Sequence, residues 1–402
     1  MATSARNDPS AILQALVSAL GLLLSVAAAG VLGLAGLAGI FGESLPLAES
    51  IGVFNLAWIA LLTAVLAAPS LAYSVLRLMN RPAAWPVGLL GYRLAWALLL
   101  LWPLALALGS AASQQENLAW LILPPINLLV IGIPIWWVIE IARRRLPSDG
   151  PKQGWGALNF SIFISTPVIM AVEVMGFAFV MVLVVLAISS DPAWAAEIQR
   201  FAVRLEALQN NPENLLVLVR PLLQNPLVIY VILAVLSGMA PLIEELLKPL
   251  ALWAMVGRDL SPAQGFAMGA VCGGAFALIE SLLNLSGAPV EGWASLAVAR
   301  SGTAVLHIAT SALVGWSLAA AWKHGAYLRL GIAYLTAVAL HGLWNGLSVL
   351  TLYNGMVEPG PSTPQWITSL APVAPLGLGI LALLLLLLLW GGNRILRRET
   401  AD

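Results

Sequence analysis

Eight side chains between residues 244 and 345 have types and spacing suited to hydrolysis: Glu244, Glu245 and Lys248, then Glu280, then Arg300 and His307, then His341 and Asn345. Peptide hydrolysis needs a base to take a proton from water, donors for the developing oxyanion and an acid for the leaving nitrogen. Glutamate, asparagine amide and histidine supply these roles. Side chains three or four residues apart share a helix face, so Glu244 and Glu245 both stand in that relation to Lys248, His307 to Ser311, and His341 to Asn345, and each helix presents one polar stripe. If all are ionised, three acids stand against Lys248 and Arg300 with one negative charge in excess. This predicts a proton held among the acids, a state from which a carboxylate works as a general base.

Other chemistries find less support. No Gly-x-Ser-x-Gly elbow occurs, and the single cysteine, Cys272, has no evident catalytic partner. One cysteine also makes neither a disulfide framework nor a cysteine-based zinc site. No cofactor is expected. A secondary alternative places zinc among Glu244 or Glu245, Glu280, His307 and His341, which are ordinary ligand types, although H-E-x-x-H spacing is absent.

These polar residues sit in a chain that must place them in lipid. Of 402 residues, 60% are hydrophobic and 9% charged, against about 25% charged in a soluble domain. The sequence therefore reads as an all-α, polytopic transmembrane helix bundle in the cell membrane. Apolar runs at 11–41, 51–76, 86–112, 118–141, 157–189, 227–256, 262–285, 297–322, 330–353 and 371–391 predict ten spans. Basic residues occupy alternate connections: Arg6; Arg77 and Arg81; Arg143, Arg144, Arg145 and Lys152; Arg258; Lys323 and Arg329; Arg394, Arg397 and Arg398. By the positive-inside rule both termini are cytoplasmic. With Lys plus Arg equal to Asp plus Glu at 19 each, net charge indicates no nucleic-acid partner.

An ionisable group inside a span costs roughly 2.5–3.5 kcal/mol on insertion scales and so requires a partner or a purpose. At 1.5 Å per residue, the Glu pair, Glu280, His307 and His341 fall about 17–27 Å from the cytoplasmic helix ends. Four spans thus bring polar groups to one layer. Pro241, following Ser237 and Gly238, should loosen the sixth span just before the Glu pair. Between the fifth and sixth spans, Trp194, Ile198, Phe201, Leu205 and Leu208 recur at helical spacing, which predicts an amphipathic helix on the outer surface. The chain divides by pattern into a five-span module (1–189), this outer segment (190–226), a polar core (227–355) and a last span with a basic tail (356–402).

At the polar residues the sequence resembles the PrsW family of glutamic-type intramembrane proteases, within the superfamily that includes the CAAX prenyl endopeptidases. Glu244-Glu245-Leu246-Leu247-Lys248 resembles its E-E-x-x-K motif, and Phe276-Ala277-Leu278-Ile279-Glu280 its F-A-x-x-E motif. Arg300 with His307, and His341-Gly342-Leu343-Trp344-Asn345, resemble the third and fourth motifs. The resemblance covers about residues 220–355. Ser281 stands where the family usually has asparagine, with Asn284 one turn on. The resemblance implies an intramembrane endopeptidase in which Glu244 or Glu245 activates water, His307 and His341 position water or protonate the leaving amine, Asn345 stabilises the oxyanion and Glu280 orients water. Lys248 and Arg300 balance charge. The implied substrate is a membrane-anchored protein, such as an anti-sigma factor in the family's regulatory branch.

A proton-coupled transporter also uses buried acids and histidines. It would show paired halves with helices broken in matching places, whereas the polar residues here crowd into one half. Outside the motifs, Glu140 is expected to pair with Arg143 or Arg144, Arg93 to snorkel, His324 to be solvated, and the Leu383 to Leu389 run to face lipid.

Overall fold

A computed structural model describes residues 9–42, 46–81, 91–147, 151–189, 192–207, 220, 223–256, 259–287, 292–357, 359–360 and 363–400. Their regular structure is helical, with no strand among the described residues. We number the helices α1 (Pro9–Gly42), α2 (Leu47–Leu78), α3 (Tyr92–Leu99), α4 (Trp102–Ser113), α5 (Glu116–Arg143), α6 (Pro151–Phe160), α7 (Thr166–Ser189), α8 (Pro192–Ala207), α9 (Pro226–Leu233), α10 (Ala240–Leu247), α11 (Leu250–Trp253), α12 (Pro262–Ser286), α13 (Trp293–His324), α14 (Tyr327–Met356), α15 (Gln365–Leu370) and α16 (Ala374–Glu399). Among the described residues, nine helical stretches are long and apolar enough to cross a membrane, and α3 with α4, bent by 42°, would make a tenth. The protein is a multi-pass membrane protein, and the bent pair coincides with the expected third span.

Proline shapes two of the spans in the same way. Thr166, just before Pro167, donates its N–H to Ser161 O, and Ala240, just before Pro241, donates to Val235 O. Both bonds skip one residue more than an α-helical bond, giving π-helical turns over Ser161–Ser165 and Ala234–Met239. Proline has no N–H to close the ordinary bond one turn back, so the turn widens. The loosening expected ahead of the Glu pair is therefore a widened turn in a continuing span.

The described chain groups into two compact units. The first comprises residues 1–167, 245–337 and 382–402; the second comprises 168–244 and 338–381. These units cut the chain elsewhere than the four segments drawn from pattern, which remain a division by motif. The unit boundaries fall inside α7, α10, α14 and α16.

Within the first unit, α12 is the central helix. Its start is set by Ser261 and Gln264, which form a reciprocal capping box, with Pro262 at the first position. Gly265, Gly269 and Gly273 face α13 so closely that a Cβ would collide with the carbonyls of Gly315, Ser311 and His307 respectively. Small residues four apart let two backbones approach in lipid, where packing rather than water drives association. On another face of α12, a Cβ at Gly274 would meet Ile139 of α5. Polar bonds tie earlier spans to this pair: Trp293 Nε1 donates to Asn127 Oδ1 at 2.9 Å, and Asn127 Nδ2 donates to Asn55 Oδ1 at 3.2 Å. At the far end, Asn393 Nδ2 donates to Ala142 O (2.8 Å) and Arg144 O (2.9 Å), closing the C-terminal end of α5.

The second unit has its own apolar core of Ile229, Leu350, Tyr353, Val357, Ile367, Ala371 and Ala374. Trp366 stacks on Tyr230 and donates to its hydroxyl at 3.3 Å. α8 forms as the amphipathic pattern predicts; Leu208 lies outside the described residues. Glu140 pairs with Arg143 at 3.1 Å, while Arg93 and His324 are exposed. The leucine run is two-faced: Leu383, Leu384 and Leu387 are exposed, but Leu385 and Leu389 are buried.

Replacing Gly269 by valine should lower unfolding stability by about 3 kcal/mol, because the added carbons meet backbone that has no room to yield. Gly331→Ala, where nothing lies within 4 Å of the new Cβ, should leave thermal unfolding in detergent unchanged or slightly raised. Equal melting temperatures for the two variants would refute the close-approach role.

Candidate active site

Successive helical residues point about 100° apart, so Glu244 and Glu245 leave α10 in different directions. The boundary between the two units falls at this dipeptide. Glu245, Lys248, Glu280, Arg300 and His307 belong to the first unit, and Glu244, His341 and Asn345 to the second.

In the first unit five side chains form one connected chain. Lys248 Nζ lies 2.7 Å from Glu245 Oε1 and 2.7 Å from His307 Nδ1. His307 Nε2 lies 2.9 Å from Glu280 Oε2. That same oxygen pairs with Arg300 Nη2, and Arg300 Nε donates to Ser281 Oγ at 3.1 Å. An ammonium has three donors and no acceptor. His307 Nδ1 must therefore accept, which places the ring hydrogen on Nε2, facing Glu280. The imidazole is neutral, and the two carboxylates cancel the two cations around it. Both Lys248 and Glu245 are fully buried and His307 is 1% exposed, while the Glu280 side chain retains 31% exposure. The chain thus has a sealed end and an open end.

The ring of Phe276 contributes to holding this arrangement. It meets the His307 ring edge to face at 5.1 Å, and Lys248 Nζ lies 4.8 Å from its centroid. The quadrupole of an aromatic face attracts a cation most when water is excluded. One turn of α12 carries both Phe276 and Glu280, which gives physical content to the F-A-x-x-E spacing.

In the second unit, Glu244 Oε1 lies 3.8 Å from His341 Nε2, beyond hydrogen-bond distance, and both residues are buried. Asn345 Nδ2 donates to Leu236 O at 2.7 Å. A Cβ at Gly342 would collide with Ser237 O. The His341 to Asn345 motif is therefore fitted against the widened turn at 234–239, with glycine giving close approach and the amide satisfying a carbonyl there. This anchoring occupies one hydrogen of the Asn345 amide.

Several sequence expectations find their places. The Lys248 contact expected of the Glu pair forms with Glu245. Ser281, where the family pattern has asparagine, receives Arg300, and Asn284 Nδ2 donates to Glu280 O at 2.9 Å. His307 and Ser311 stand four residues apart in α13, as the shared helix face requires. The ring turns to Lys248 and Glu280, and Ser311 Oγ has no hydrogen-bond partner among the described residues. Sequence reasoning missed Phe276 as a packing surface and the α12 glycines that let the α13 backbone at His307 approach. The four-residue spacing of Gly265, Gly269 and Gly273 was the available signal.

The family model described as PrsW family intramembrane metalloprotease matches residues 193–358, roughly two-fifths of the chain. All eight site residues lie within the match. It begins earlier than the expected limit near residue 220 and includes nearly all of α8. No curated protein and no solved structure matches the chain.

The family description names a metal, whereas the residues alone led to an expectation of none, with zinc as the secondary alternative. Glu244 and His341 are compatible with one. A carboxylate oxygen and an imidazole nitrogen 3.8 Å apart approximate two neighbours around an ion with bonds of about 2.1 Å. His307 has both ring nitrogens engaged, so its present contacts would have to open before it could ligate.

Removing one partner of the fully buried pair should cost about 3–5 kcal/mol. Lys248→Met is expected to destabilise by that amount, and adding Glu245→Gln should recover part of the loss. Thermal unfolding of the wild type, both single variants and the double variant checks the coupling; strictly additive effects would refute it.

Proposed function

We propose that the protein is an intramembrane endopeptidase that hydrolyses peptide bonds of membrane-anchored proteins, with Glu244 as the residue that activates water. The premise is the PrsW-type match over residues 193–358. The observation that carries the assignment is the approach of two buried groups: Glu244 Oε1 faces the His341 ring across 3.8 Å. One oxygen can sit about 2.8 Å from both groups across such a gap. A water held there is oriented for deprotonation.

In this reading Glu244 takes a proton from water as the oxygen attacks the scissile carbonyl carbon. The carbonyl electron pair moves to oxygen, and the Asn345 amide hydrogen not committed to Leu236 O stabilises that charge. As the C–N bond breaks, the electron pair returns to the carbonyl and the leaving nitrogen takes a proton from Glu244 or His341. His307, fixed in one tautomer by Lys248, holds Glu280, whose open end orients water. Lys248 and Arg300 cancel the remaining charges. Glu244 and His341 would hold a metal ion, which when bound supplies a more acidic water and polarises the carbonyl. Anti-sigma factors with one span fit the proposed substrate class.

Purified protein in nanodiscs, offered single-span candidate substrates, tests this reading. Glu244→Gln and His341→Ala should each lower the cleavage rate at least about 100-fold, with exposed His324→Ala at wild-type rate. Loss of cleavage with chelator, restored by zinc, would assign the metal route; indifference to chelator would assign unaided glutamate catalysis. Full activity in Glu244→Gln would overturn the assignment.

A further inference from the structure

Two helix ends meet in the first unit, and both carry arginine. Asn393 Nδ2 donates to Ala142 O at 2.8 Å and to Arg144 O at 2.9 Å, which ties the C-terminal end of α5 to the last turns of α16. The α5 end brings Arg143, Arg144 and Arg145, and the α16 end brings Arg394, Arg397 and Arg398. Within residues 140–146 and 390–400 the only acids are Glu140 and Glu399, and Glu140 is committed to Arg143. Arg144 lies over the Tyr92 ring at 4.0 Å and Arg394 over the Trp390 ring at 5.4 Å, contacts that hold a cation without cancelling its charge. Arg145, Arg397 and Arg398 meet no carboxylate among the described residues.

The backbone keeps Arg145 outside. Just past α5 the chain takes the left-handed conformation at Arg145, φ 54°, at the position where helices usually place glycine. An L side chain adopts that conformation at a cost. Here it leaves Arg145 exposed while Leu146 is buried. The α16 arginines continue an apolar stripe. Leu383, Leu387, Trp390, Arg394 and Arg398 follow one another at intervals of four, three, four and four, so they share one helix face, and all five are exposed. From first to last the stripe is about 22 Å long, close to the depth of one leaflet with its headgroup region. A glycerophospholipid presents the same order of chemistry along its length, hydrocarbon and then phosphate. A soluble polyanion would meet the arginines alone.

We propose that this edge holds an anionic glycerophospholipid, its phosphate among the arginines of the two helix ends and an acyl chain along the stripe from Leu383 to Trp390. The planar fork of a guanidinium matches phosphate oxygens, and several such forks favour a headgroup with no cation of its own. Phosphatidylcholine carries the same phosphate but brings a quaternary ammonium into a ring of arginines, so it is held less tightly. Binding here is independent of the protease reading.

Native mass spectrometry of the full-length protein, equilibrated in detergent with equimolar dioleoyl-phosphatidylglycerol and dioleoyl-phosphatidylcholine, tests this. The wild type should retain one phosphatidylglycerol at collision energies that strip phosphatidylcholine. Arg394→Gln combined with Arg398→Gln should weaken phosphatidylglycerol binding at least about tenfold, and Arg145→Gln should weaken it as a single change from the other helix end. All three side chains are exposed, so melting temperatures without added lipid should match the wild type. Arg81→Gln combined with Arg329→Gln removes the same charge from exposed positions elsewhere and should bind as wild type. Equal retention of the two lipids would overturn the proposal, as would wild-type binding in Arg145→Gln. Equal weakening in the two double variants would also overturn it, since attraction would then follow total positive charge and not this edge.

Discussion

The constraint on which the candidate site rests is charge cancellation without water. Lys248 is fully buried, with its Nζ 2.7 Å from Glu245 Oε1, 2.7 Å from His307 Nδ1 and 4.8 Å from the centroid of the Phe276 ring. An isolated ammonium at that depth would be costly enough to favour its neutral form. Fixed between a carboxylate and an imidazole, it determines which nitrogen of His307 carries hydrogen and therefore what Glu280 receives. Arg300 closes the other end. Two ion pairs thus become a single electrostatic object with a neutral ring between them, and its parts come from three different helices.

Holding those helices close is a matter of what is missing from them. Where α12 meets α13, the absence of side chains at Gly265, Gly269 and Gly273 brings the backbone carrying His307 within reach of the acid on α12. At Gly342 the same device seats the last motif against the widened turn near Ser237. In lipid there is little hydrophobic gain from pressing one apolar helix on another, so close approach and internal hydrogen bonds do that work. The Asn55, Asn127 and Trp293 bonds are the polar version, and they join spans far apart in sequence.

Much of this was legible in the sequence. Composition and alternating basic connections gave the span count, including a third span that turns out to be bent. The spacing of Glu245 from Lys248 gave their contact, and Pro241 gave the loosened turn. What sequence could not give was the direction of a ring: His307 shares a helix face with Ser311, but its ring turns to Lys248 and Glu280 on other elements. Nor does helical spacing separate Glu244 from Glu245, since both lie three or four residues from Lys248. Their 100° divergence around the axis separates them, one toward the buried cation and the other toward His341. The division of the chain into motif segments also follows a different logic from compactness, because α5 packs on α12 across more than a hundred residues of sequence.

The widened turn at 234–239 has a geometric consequence for the catalytic pair. A π-helical turn holds about one residue more than an α-helical one, and one residue is worth about 100° of rotation. The azimuth of Glu244 relative to α9 is therefore set by the winding of the turn upstream of it. Were the same residues wound as an α-helical turn, every later side chain would advance by about 100°, and Glu244 would take the bearing now held by Glu245, with the chemistry of every side chain unaltered. The span works as an indexed shaft, and Pro241 keeps its index.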